Sequence, residues 1–294
     1  MLALCLVSAA GDTLYWTTYH AYFAALGDAE HRGHQVSARE ALVSGVSIIA
    51  PILGGWGIAH LGPVATFGGV AGVQFLAALP LLASPNVTIA KTAPGAIWAS
   101  RMGFAICVTD GWVSAGYYVG WQLVLFLTLK ESFTAFGGAM ALAAVVGAAA
   151  GLILGRLVDL GHGAKAAGLA FTVLALSIAA RSLTVTAPIA LIVNAAGALV
   201  GSLYVPPMAT AVYNLAKKSP CPLRFHMVTE GAYDMGAGLG CLVAAGLIIA
   251  GIPLRFTLLM SLLGALGTLV ILRRYYAAED GSRSSASQSA DRIS

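Results

Sequence analysis

Nine runs of apolar residues alternate with short polar breaks along the 294-residue chain. They fall at residues 2–27, 41–60, 63–84, 104–129, 134–154, 166–183, 187–213, 231–251 and 253–272. Each is about long enough to cross a bilayer, where only a helix or a closed barrel satisfies its own backbone, so the pattern predicts an all-α polytopic membrane protein. Residues 277–294 are polar and rich in serine, and predict a disordered tail.

Composition supports the pattern. Hydrophobic residues make up 59% of the chain and charged residues 10%, with a mean hydropathy of +0.85; soluble domains carry about 25% charged residues. A formal charge of +4 is too small to point to a nucleic-acid partner. Cys5, Cys107, Cys221 and Cys241 are scattered without C-x-x-C spacing, so neither a disulfide framework nor a zinc site is predicted. No metal and no cofactor are expected.

Charge placement matters more than its sum. Of the 16 Lys and Arg residues, only Lys130, Arg181 and Arg255 fall on one side of the predicted spans. The rest, including the bases flanking residues 155–165, fall on the other. This asymmetry predicts a cytoplasmic C-terminus, and a bacterial inner membrane is the expected location. With nine spans Met1 is then outside, and such a chain is expected to lack helices that precede it.

The polar island Gly155–Lys165 holds a glycine, an acid at Asp159, further glycines and Lys165. It resembles the inter-helix motif G-x-x-x-D-R-x-G-R-R of the major facilitator superfamily (MFS). Leu160 stands where that motif has arginine, and Gly163 comes one place late. Gly45 with Pro51-Ile52-Leu53-Gly54-Gly55 is similar to the signature G-x-x-x-G-P-x-x-G-G of drug–proton antiporters in that superfamily, with Ala50 in place of a glycine and Gly45 one residue early. An ordinary small-residue packing face explains the same glycines equally well. A weak repeat pairs Ala9-Ala10-Gly11 with Ala195-Ala196-Gly197. The resemblance implies family helices 4 to 12: residues 1–85 as the remainder of the N-terminal half, 86–103 as a central cytoplasmic loop and 104–276 as the C-terminal six-helix half.

Two helices carry a carboxylate followed by an aromatic stripe. Asp12, Tyr15, Trp16 and Tyr19 share one helical face, with His20 a step around; Asp110, Tyr117, Tyr118 and Trp121 repeat the spacing. An aspartate within the bilayer costs roughly 2.5–3.5 kcal/mol on insertion scales, so it is expected to face a wet cavity or a partner. Asn194, Tyr204 and the pair Pro206-Pro207 predict a third polar face and a break in the helix. In the family the three corresponding helices line the central cavity.

The resulting expectation is a monomeric, non-enzymatic MFS-type secondary transporter in the lipid bilayer. It would move a small organic molecule, in exchange for protons through Asp12, with efflux of an organic cation favoured by the aromatic faces. A lipid-directed membrane enzyme is the alternative, but D-x-x-x-D, H-x-x-x-x-D and H-E-x-x-H spacings are absent. An inactive transporter remnant is the other.

Overall fold

The computed structural model describes residues 2–26, 32–85, 88, 91–158 and 163–291. Their regular structure is helical. In chain order the long elements are α1 (Leu2–Leu26), α2 (Arg32–His60) and α3 (Gly62–Ala77, extended by a 3-10 turn at Leu79–Ala83). Next comes α4, which is Arg101–Ser114, a π turn at Ala115–Gly120, and Trp121–Thr128. Then come α5 (Phe133–Val158), α6 (Gly163–Ser182), α7 (Ala187–Lys218), α8 (Pro222–Ile249) and α9, which opens through Leu254–Thr257 and Leu258–Met260 into Ser261–Asp291.

Among the described residues six helices are long and apolar enough to cross a membrane, against the nine spans expected. The three others differ for local reasons. The run Asp12–His20 is rich in polar and aromatic residues and lowers the hydropathy of α1. The π turn divides α4, and α6 contributes the apolar stretch Ala167–Ser182 among the residues whose side chains are described.

Helix α4 is the centre of the bundle. It packs on α8 and α9; α9 packs on α6, α6 on α7, α7 on α5, and α5 on α2. Helix α1 lies on α8, and α3 packs on α2 with no buried residue of its own. Ile106, Val113, Phe171, Leu174, Val200 and Leu272 form the core where α4, α6, α7 and α9 meet.

Two contacts bring backbones together. At α4–α8, a Cβ on Gly111 would overlap the Tyr233 carbonyl, and one on Gly236 would overlap the Val108 carbonyl. At α2–α5, a Cβ on Gly55 would overlap the Phe133 carbonyl, and one on Gly137 the Pro51 carbonyl. Without hydrophobic drive between helices in lipid, such close approach is what holds them together. In the proline–glycine segment of α2, Gly55 makes this contact; Gly54 and Gly45 have open space around them.

Other boundaries shift from those the sequence predicts. Helix α8 begins at Pro222, ahead of the apolar run, because Pro suits the first helical turn. The expected tail is helical as far as Asp291. Extending a formed helix is cheap, and an ion pair from Lys218 to Glu279 ties this part of α9 to the end of α7. Helix α7 runs unbroken through Pro206 and Pro207. The expected break is absent, with α5 and α6 packed against the helix, although Pro206 and Pro207 leave the Ser202 and Leu203 carbonyls without their usual donors. Gly155 lies in the last turn of α5 rather than in a turn between helices. Asp159 lies outside the described residues.

Candidate functional site

A cavity of about 1160 Å³ opens between α2, α4, α5 and α7, with Arg181 of α6 reaching into it. Small residues make the room: Ala143, Ala144, Gly147, Ala148 and Gly151 line the α5 side. Ser44 and Ser47 face it from α2, Gln122 from α4 and Ser202 from α7. Pro51 is part of the α2 wall.

The π turn of α4 shapes the inner wall. Its widened pitch has the Trp121 N–H donating to the Gly116 carbonyl, five residues back, instead of to Tyr117, four back as in an α-helix. The Tyr117 carbonyl accepts from Arg181 Nη1 at 2.6 Å. The guanidinium lies over the Tyr117 ring at 3.8 Å and the Trp121 ring at 4.9 Å, in cation–π range. Arg181 is only 5% exposed. Gly197 makes room for it, since a Cβ there would collide with the guanidinium.

The rings are fixed in turn. Trp121 Nε1 donates to Asn194 Oδ1 at 2.9 Å, and Asn194 Nδ2 donates to the Ala139 carbonyl at 2.9 Å. The Tyr117 hydroxyl donates to the Gly197 carbonyl at 3.0 Å. One asparagine thus ties α4, α5 and α7 together in the cavity wall. Tyr118 is 44% exposed and offers a face to the space.

Of the residues singled out in the sequence, Tyr117, Tyr118, Trp121, Asn194 and Pro51 meet at this cavity. Asp110 and Tyr204 are not in its lining; the Tyr204 hydroxyl donates to Asp110 Oδ1 where α4 crosses α7. Tyr118 nonetheless lies within electrostatic range of both Asp110 and Arg181. On α1, Tyr15 stacks on Tyr19 with centroids 5.8 Å apart and meets Trp16 edge-on at 5.1 Å, so the predicted stripe forms. That stripe and the exposed Asp12 lie outside the cavity lining. Asp12 instead comes within electrostatic range of Asp234 on α8. The His20 side chain lies outside the described residues.

Arg181 is a residue that sequence reasoning missed as part of a site, counting it only with Lys130 and Arg255 as a base on the outer side of the spans. The available signal was its place at the end of an apolar run, Ser177-Ile178-Ala179-Ala180-Arg181.

Compared with known protein families, curated proteins and solved structures, the chain matches none. Fold and composition define the class: an all-helical protein with the long apolar helices of an integral membrane protein.

Proposed function

We propose that the chain acts as a secondary transporter of the major facilitator type, moving a small organic solute by alternating access. The observation that carries this reading is the cavity bounded by α2 on one side and α4, α5 and α7 on the other. In the proposed helix numbering these belong to different halves of the transporter, so rocking one against the other would open the space to alternate sides.

The test is access. With the native cysteines replaced by serine, a single cysteine at Ala148 should react with a membrane-impermeant maleimide applied from either side of the bilayer. Labelling from one side alone would contradict alternating access, and would fit a membrane enzyme or an inactive remnant. Orientation is checked separately: a reporter fused after Tyr276 should be active only inside the cell, and one at Lys130-Glu131 only outside.

Proton coupling is proposed to run through a membrane carboxylate, with Asp12 the first candidate and Asp110 the second. Asp12→Asn keeps the shape but cannot release a proton. It should abolish proton-driven flux in the transporting protein while sparing substrate exchange without net proton movement. Unchanged proton-driven flux in Asp12→Asn, with loss in Asp110→Asn, would move the coupling site to the Asp110–Tyr204 pair.

A further inference from the structure

We propose that the cavity binds an organic anion, a flat carboxylate whose charge is held by Arg181. The inference deepens the transporter reading by naming the substrate class, and only the fate of the bound anion rests on that reading.

Charge balance points to an anion. Among the described residues, Arg181 is the single charged side chain lining the cavity, and no Asp or Glu joins it there. Among the same residues Arg181 has no carboxylate within ion-pair distance, and its buried Nε donates to no acceptor. A buried guanidinium in this state is strongly favoured to accept an anion, because desolvation has already occurred and donors remain free. Guanidinium geometry suits a carboxylate or a phosphate through paired N–H donors. The two rings and the Tyr117 carbonyl hold the group in place before any ligand arrives.

The rest of the space selects against a bare inorganic ion. Its volume of about 1160 Å³ is of the size that encloses organic ligands. Much of its wall is small and apolar, with five alanines, four glycines, three valines and Met140 in the lining, and the exposed Tyr118 ring is available for stacking. Gln122, Ser44, Ser47 and Ser202 supply neutral polar groups for the remainder of the solute. An organic cation, the solute favoured by aromatic spacing alone, would meet Arg181 with no acid in the described lining to offset it.

The test uses three probes of nearly one shape: benzoate, benzamide and benzamidinium, which are negative, neutral and positive. Binding to the full chain in phosphatidylcholine nanodiscs is followed by tryptophan fluorescence and calorimetry. Benzoate should bind at least about tenfold more tightly than benzamide, the scale of a charge-assisted hydrogen bond, and benzamidinium should not saturate. Arg181→Gln should erase the benzoate preference while leaving benzamide binding, which also reports an intact cavity. Arg181→Lys should keep part of it. Gly197→Ala, which displaces the guanidinium without removing its charge, should weaken benzoate.

Absence of saturable benzoate binding, equal affinity for benzamide, or an undiminished preference in Arg181→Gln would each overturn the proposal. So would loss of benzoate binding in phosphatidylglycerol nanodiscs, which would make a lipid headgroup the occupant. Flux separates this from the transporter reading. Benzoate bound but not moved across proteoliposomes sinks transport and keeps the site; benzamidinium moved without benzoate binding does the reverse.

Discussion

Gly111→Leu should leave little monodisperse folded protein after detergent extraction. The residue faces the Tyr233 carbonyl and the Ala237 nitrogen of α8, and Gly236 returns the contact to the Val108 carbonyl and the Trp112 nitrogen of α4. These obstacles are backbone, so no rotamer change relieves them and the helices must separate. Overpacking by a methylene typically costs about 1–3 kcal/mol, and an isobutyl group pressed on a main chain exceeds that. Separation also strains the hydrogen bond from the Tyr233 hydroxyl to Ser114 Oγ at 2.7 Å. Gly111→Ala should fold with a lowered melting temperature. Gly238→Ala, in α8 with open space around it, is the control and should melt like the parent. A leucine variant that is monodisperse with the parent's melting temperature would refute this packing.

Asn194→Leu should destabilise the protein by about 2–5 kcal/mol, read from thermal unfolding. Leucine is similar in size, so the cost is polar. The substitution strands the Trp121 indole N–H and removes one donor from the Ala139 carbonyl. Leaving a buried partner unsatisfied costs about 1–3 kcal/mol each, and water is scarce at a residue 4% exposed. Trp121 should then turn under Arg181, giving a changed tryptophan emission. A cycle with Trp121→Phe separates the two bonds: combined with Asn194→Leu, the loss should be smaller than the sum of the single losses. Strict additivity would mean that the two side chains do not support each other.

The apolar runs were legible as helices because chain length in a bilayer admits few other structures. Their ends were less so: hydropathy marks where a chain meets lipid, whereas α8 begins at Pro222 and α9 continues to Asp291 by helix propagation. The site was partly legible. Aromatic spacing found Tyr117, Tyr118 and Trp121, which do line one space. The same spacing grouped Asp110 with them, and Asp110, Tyr117 and Trp121 do all bond to α7, at Tyr204, Gly197 and Asn194. Asp110 meets α7 about two turns further along than Tyr117 does, where Tyr204 takes it apart from the cavity lining. Spacing gives a shared face but not how far along it a cavity reaches. Arg181 was hidden because its partners, Tyr117, Trp121 and Gly197, come from other helices and meet it only in the folded chain.

The hydrogen bond that seats Arg181 ends on a main-chain oxygen, and this has a consequence for how such a protein can change over generations. No codon change at position 117 can delete that acceptor. Substituting the ring alters grip and shape around the guanidinium but leaves its tether, because the tether belongs to the helix and not to the side chain. The charge anchor is therefore robust to drift at position 117, while Tyr118, Gln122 and Ser202 around the same space are free to vary. A lineage built on this scaffold can change which solute it accepts, one side chain at a time, without surrendering the position of its arginine.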